Sequence, residues 1–115
     1  MGVEQRRFQR IPESFRLQCR RLGSLAETWR RVATLDLSAV GASFDTEELY
    51  DPSDTLDIRI DLPNFRVPLL LHGRVVRSRP RPGGAMECAV EFVDMTPEQQ
   101  GAIDELVQFL SKRIE

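Results

Sequence analysis

The chain has 115 residues, a formal charge of -2, 41% hydrophobic and 30% charged residues. That length suits one domain with a core of its own, needing no disulfide or metal, and the composition is that of a soluble globular protein. The small negative charge gives no reason to expect bulk attraction to a nucleic-acid polymer, and the longest apolar run, Val67–Leu71, is interrupted by Pro68, which excludes a membrane-spanning helix.

Charge is unevenly distributed. Residues 1–31 hold eight arginines against three acids (Glu4, Glu13 and Glu27), whereas residues 32–71 hold two arginines against eight acids. The basic end can therefore hold an anion although the whole chain is acidic. Cys19 and Cys88 each sit in an apolar alternation and form no metal-ligand spacing, so they read as buried strand residues of a reducing compartment. The start of the chain is charged, without the apolar stretch of a signal peptide, and the expected location is the cytoplasm.

In chain order, residues 1–12 read as a polar, arginine-bearing tail closed by Pro12, and residues 13–115 as a single domain. Phe15, Leu17 and Cys19 alternate with Arg16, Gln18 and Arg20, the period-two pattern of a strand. In the next candidate strand Trp29, Arg31, Ala33, Leu35 and Leu37 share one face, expected to turn its leucines into the core. Arg30, Val32, Thr34, Asp36 and Ser38 share the other. Gly41 breaks the alternation, and Ala42, Ser43 and Phe44 resume it.

Asp51-Pro52-Ser53-Asp54 is a turn cluster. Leu56, Ile58, Ile60 and Leu62 alternate with Asp57, Arg59 and Asp61, and Pro63-Asn64 marks another turn. Residues 66–79 read as one long strand or as two with a bend near His72-Gly73, since a strand glycine often marks a bulge. Pro80-Arg81-Pro82-Gly83-Gly84 is a loop, and Met86, Cys88, Val90 and Phe92 form the last strand face. Thr96-Pro97-Glu98-Gln99 then opens a helix over 97–114 with a cap, an N1 proline and a glutamine three residues after the cap. Ile103, Leu106, Val107, Leu110 and Ile114 form its apolar stripe. Short antiparallel strands with one last helix predict a mainly β barrel or sandwich, and periodicity leaves that choice open.

Two motifs carry chemistry. Arg6 and Arg10 form an R-x-x-x-R pair with Arg7 inside it. Guanidinium groups fork onto phosphates and stack on flat bases, and three of them so close repel until an anion arrives. Asp36-Leu37-Ser38-Ala39-Val40-Gly41 is a D-x-S-x-x-G. It sets a carboxylate and a hydroxyl side by side on the outward face, ahead of a chain reversal for which Gly41 can supply a positive φ. An ionised Asp accepts only, and guanine offers two adjacent donors. Taken alone, each motif also fits a bland role: a solvated tail, or a turn cap.

In this order, in a chain of strands closed by one helix, the motifs resemble the PilZ domain, the bacterial receptor module for cyclic di-GMP. Gly73-Arg74-Val75-Val76-Arg77 and Ala89-Val90-Glu91-Phe92-Val93 resemble later strands of that family, so the likeness covers almost the whole chain. It implies a six-stranded antiparallel β-barrel with a C-terminal α-helix. It further implies a cyclic di-GMP receptor or adaptor that is not an enzyme, needs no cofactor or metal, and signals to a downstream protein. Arg6 and Arg10 would then grip the phosphates and guanine, Asp36 the guanine edge, Ser38 the ligand, and Gly41 the turn. Arg7 and Arg77 are further candidate contacts. Gln5 stands where many family members that bind a stacked ligand pair carry another arginine, which favours one ligand per chain. Two other readings compete: a PilZ module that works through protein contacts alone, and a small barrel for single-stranded nucleic acid. The latter wants outward aromatic platforms, and most of the eight aromatics occupy inward positions. His72, the only histidine, has no partner set for catalysis and reads as structural.

Overall fold

The computed structural model describes residues 15–23, 28–64 and 66–114. Six strands, β1 (Arg16–Arg21), β2 (Arg30–Ser38), β3 (Gly41–Thr46), β4 (Thr55–Ile60), β5 (Leu69–Pro80) and β6 (Met86–Val93), precede the helix α1 (Pro97–Ile114). The strands close into an antiparallel barrel in the order β1-β2-β3-β6-β5-β4, which leaves no exposed edge. Barrel, and not sandwich, is thus the architecture.

The alternations in β1, β4 and β6 aim as their sequences predict. Leu17, Cys19, Leu56, Ile58, Ile60, Cys88 and Val90 are buried in one core with Phe44 and Val75. Strand β2 differs. Thr34 pairs with Phe44 and Asp36 with Ser43, so Leu35 is an extra residue in a bulge. The bulge exchanges the faces. Thr34 and Leu37 are both buried, Ala33 is exposed and Leu35 is half-buried. The expectation that Ala33 and Leu35 share the core face with Leu37 fails for that reason. Strand β5 is a single strand whose bulge falls at Val76, between Val75 and Arg77, not at Gly73. Gly73 has a different role: a Cβ there would lie 2.5 Å from Ile58 Cδ1.

Helix α1 starts at a reciprocal cap. The Gln99 amide donates to Thr96 Oγ1 (3.1 Å), and the Thr96 amide donates to Gln99 Oε1 (3.0 Å). Ala102, Ile103, Leu106, Val107 and Leu110 join the barrel core. Asn64 Nδ2 donates to the Ala102 carbonyl and Gln99 Nε2 to that of Leu70, both at 3.1 Å, which docks the helix on the β4–β5 connection. The helix also packs on β2. It therefore covers the barrel end that carries the β2–β3 turn. Phe109 points away, 60% exposed. Among the described residues no helix is long and apolar enough to cross a membrane.

Candidate functional site

Register builds the site. Beyond its bulge, β2 sets Asp36 opposite Ser43 on β3, Ser43 lies opposite Ala89 on β6, and Ala89 opposite Arg77 on β5. Because Leu37, Ala42 and Val90 point into the core, this row faces outward. Asp36 is half-buried, while Ser43 and Ala89 are buried although they lie outside the barrel core. The Ser43 hydroxyl has no hydrogen-bond partner among the described residues, an uncommon state for a buried polar group.

Ser38 belongs to the same outward register but is fully buried, and its hydroxyl is engaged within the turn. It accepts from the Val40 amide (3.2 Å) and donates to the Gly41 carbonyl (3.4 Å). The side-by-side, outward pair expected of Asp36 and Ser38 is therefore not what forms: one side chain lines the face and the other ties the turn. The turn itself is Ala39-Val40, linking the paired Ser38 and Gly41, and the Val40 carbonyl accepts from the Phe92 amide at 2.8 Å. Gly41 does not take the positive φ anticipated for it. Its reason is close approach, because a Cβ at Gly41 would stand 2.4 Å from the Val90 carbonyl oxygen.

At the far end of the row Arg77 is held by an acid. Glu87 Oε2 accepts from Arg77 Nη2, and Glu87 Oε1 accepts from Arg79 Nε, each at 3.1 Å. Glu87 is only 8% exposed. Burial by itself would raise its pKa, but hydrogen bonds and charge from Arg79 and Arg77 outweigh burial and leave the carboxyl below its ordinary value. From Asp36 to Arg77 is three strand spacings, about 14 Å, so the two define opposite ends of a platform. One row on, Arg74 Nη2 meets Glu91 Oε1 at 2.7 Å.

Arg6, Arg7 and Arg10 lie outside the described residues, as does Gln5. Asp36, Ser38, Gly41 and Arg77 all fall on this one face or its turn. Sequence reasoning missed Ser43 and Glu87. Ser43 reads as an ordinary strand serine until register places it beside Asp36. Glu87 could have been found from the 80–84 loop, whose hairpin sets it opposite Arg79. Cys88 lies inside, its thiol pushed up to about 12 by burial, with Cys19 and Asp54 adding to the effect, so it is inert as a nucleophile at neutral pH. Among the described residues no group of three or more histidine, cysteine or acidic side chains is placed to hold a metal.

Comparison with known proteins agrees with the fold. The PilZ domain family model matches residues 4–109. No curated protein matches the chain in sequence. Among solved structures, the fold is shared with Escherichia coli YcgR in complex with c-di-GMP, at a TM-score of 0.75 and 16% identity over 96% of this chain and 47% of that one. It is shared with the Bacillus subtilis inhibitor of motility MotI/DgrA, at 0.71 and 17% over 92% and 49%. The PilZ domain of CeSA from a cellulose-synthesizing bacterium matches at 0.64 and 20% over 90% and 98%. The chain spans about half the length of YcgR and MotI. With the family model covering nearly its whole length, the chain belongs to the PilZ domain family.

Proposed function

We propose that this chain is a cyclic di-GMP receptor that holds the dinucleotide on the outer face of β2, β3 and β6 and hands the signal to a partner protein. The observation that carries the reading is the row Asp36–Ser43–Ala89. It offers an acceptor, a buried hydroxyl with no partner among the described residues, and a small side chain over which a flat base can lie. The c-di-GMP complex of YcgR, which shares the fold, supports the same ligand.

In this reading Asp36 accepts from the guanine edge and Ser43 donates to the ligand. Arg6 and Arg10 clamp the phosphates with forked, charge-assisted bonds, and Arg7 lies close enough in the chain to assist. Ser38 and Gly41 act one step back, by fixing the turn on which Asp36 stands. Arg77 borders the platform, already paired with Glu87, which it shares with Arg79. The three tail arginines repel in the absence of an anion, so the bound dinucleotide draws residues 1–12 across the face. That new surface is the signal.

Isothermal titration of the purified chain with cyclic di-GMP tests the reading. Saturation at one ligand per chain is expected. Arg10→Ala should weaken binding by about tenfold to a hundredfold, the loss of a charge-assisted contact, with the fold intact. No binding by the wild type, or an unchanged affinity in Arg10→Ala, contradicts it.

A further inference from the structure

Apart from Arg66 in the β4–β5 connection, which is exposed and has no ion pair among the described residues, the described arginines of the barrel separate into two groups. Arg20, Arg21, Arg30, Arg74, Arg77, Arg79 and Arg81 each form an ion pair with an acid. Arg16, Arg31 and Arg59 form none among the described residues, and these three line one cleft of about 600 Å³. It lies on the outer wall of β1, β2 and β4, whereas the platform of Asp36 and Ser43 lies on β2, β3 and β6.

Register fixes the pattern. Gln18 on β1 stands directly opposite Arg31 on β2 and directly opposite Arg59 on β4. Arg31 and Arg59 are therefore two strand spacings apart, about 10 Å, with the glutamine amide between them. Arg16 follows two residues before Gln18 on the same face, about 7 Å away. Its carbonyl accepts from the Asp61 amide at 3.4 Å, which sets a lone acid at that end of the cleft. Ala33, opposite Arg16, is small and exposed, and keeps the wall low.

Like charges gathered on one face of a sheet repel, though none of these three stands directly opposite another. Among the described residues Asp61 is the single acid that lines this cleft of three arginines, and it forms no ion pair with any of them, whereas every arginine of the other group is paired. Arg31 and Arg59 stand about 10 Å apart and Arg16 about 8 Å from each, distances that long side chains can close onto the carboxylates of alternate residues of an extended chain, about 7 Å apart on one face. Gln18, at its centre, both donates and accepts, which suits a peptide group and not a phosphate, an acceptor alone. An open cleft over three strands also suits a chain crossing the surface better than an enclosed small molecule.

We infer that the Arg16, Arg31 and Arg59 cleft, centred on Gln18, is a docking surface for an extended acidic segment of a partner protein. It does not depend on cyclic di-GMP binding, since no residue of the platform lines it. Strand β2 connects the two surfaces, with Arg31 before the Leu35 bulge and Asp36 after it.

The test uses the full chain and a fluorescein-labelled peptide of about ten residues, alternating glutamate with threonine, followed by anisotropy at low salt. The wild type should bind, and added salt should weaken the complex, because exposed charges are screened. Arg31→Glu/Arg59→Glu should weaken binding at least about tenfold, the scale of losing charge-assisted contacts, and Arg31→Gln/Arg59→Gln should act in the same direction. Arg74→Glu, an exposed arginine outside the cleft, should bind as the wild type does. Absence of binding by the wild type overturns the inference. So does an equal loss in Arg74→Glu, which would mean diffuse charge. Tighter binding of tripolyphosphate than of the peptide at the same cleft overturns it too, since the site would then be one for small anions. Calorimetry of the double variants with cyclic di-GMP separates this inference from the proposed function: the affinity should be that of the wild type. If the peptide binds and the dinucleotide does not, the receptor reading fails and this one stands.

Discussion

In the proposed function Asp36 would read a base by what it can accept. An ionised carboxylate takes hydrogen bonds from two adjacent donors, and adenine presents a different pattern, so the residue should discriminate between cyclic di-GMP and its adenine analogue. Asp36→Ala should lose about tenfold or more in cyclic di-GMP affinity and blur that preference, read by titration with both dinucleotides. Equal binding of both by the wild type would leave Asp36 as a turn residue only. Gly41 makes a steric prediction. With a Cβ only 2.4 Å from the Val90 carbonyl oxygen, Gly41→Ala must move β3 away from β6. A loss of about 1–3 kcal/mol is expected in denaturant unfolding, as for other overpacked sites. Glu87 makes a prediction about pH. Its carboxyl titrates lower in the fold than in the unfolded chain, so its stabilisation is present above the unfolded pKa and is lost as pH falls through the folded one. Both arginine partners are about half exposed, which limits the pairs to about 1 kcal/mol after screening. Glu87→Gln should therefore be slightly less stable than the wild type at neutral pH, and the gap should close in acid. A gap that persists below the range where carboxylates titrate would assign the loss to packing instead.

At the scale of elements, the cap of α1 is separable from the site. Removing its side-chain bond in Thr96→Ala should cost about 1 kcal/mol of stability and leave cyclic di-GMP affinity unchanged, because the cap does not touch the platform. Thermal unfolding and titration of the same variant check both halves. The elements also show how much the sequence disclosed. Clean period two in β1, β4 and β6 told which residues face the core, because side chains of a regular strand cannot do otherwise. The helix was legible from its cap and stripe. Strand β2 misled, since one bulged residue, Leu35, reverses every side chain on one side of it, and composition carries no mark of that reversal. The bulge of β5 was misplaced at Gly73 because glycine there serves the tight contact with Ile58, while the extra residue, Val76, is β-branched and inconspicuous. Tyr50 is fully buried within 3.8 Å of Cys19 Sγ, yet it lies in a loop, where no period reveals an inward residue. The site was legible in part. The motif located Asp36 and its turn, but the partnership of Asp36 with Ser43 depends on pairing across strands, which only the closed sheet defines.

At the scale of the whole molecule, a closed barrel with one capped end leaves its walls as the functional surfaces. One wall presents Asp36, Ser43 and Ala89 to a ligand that the arginines of the N-terminal tail would secure. Another presents three arginines around Gln18 that form no ion pair among the described residues. The helix secures the end near the β2–β3 turn, so the turn is braced on both sides: by α1 packing on β2, and by the Phe92 amide holding the Val40 carbonyl. A braced turn fixes Asp36, the preorganisation that the proposed binding of a charged dinucleotide would need. The central claim is that cyclic di-GMP lies on the β2–β3–β6 face. Its most direct test is a titration of the nitrogen-15-labelled chain with cyclic di-GMP, followed amide by amide by NMR. The account predicts the largest shift changes at Asp36, Ser43 and Ala89, and at Arg6 and Arg10. No change at saturating ligand, or changes confined to the cleft of Arg31, Gln18 and Arg59, would contradict it.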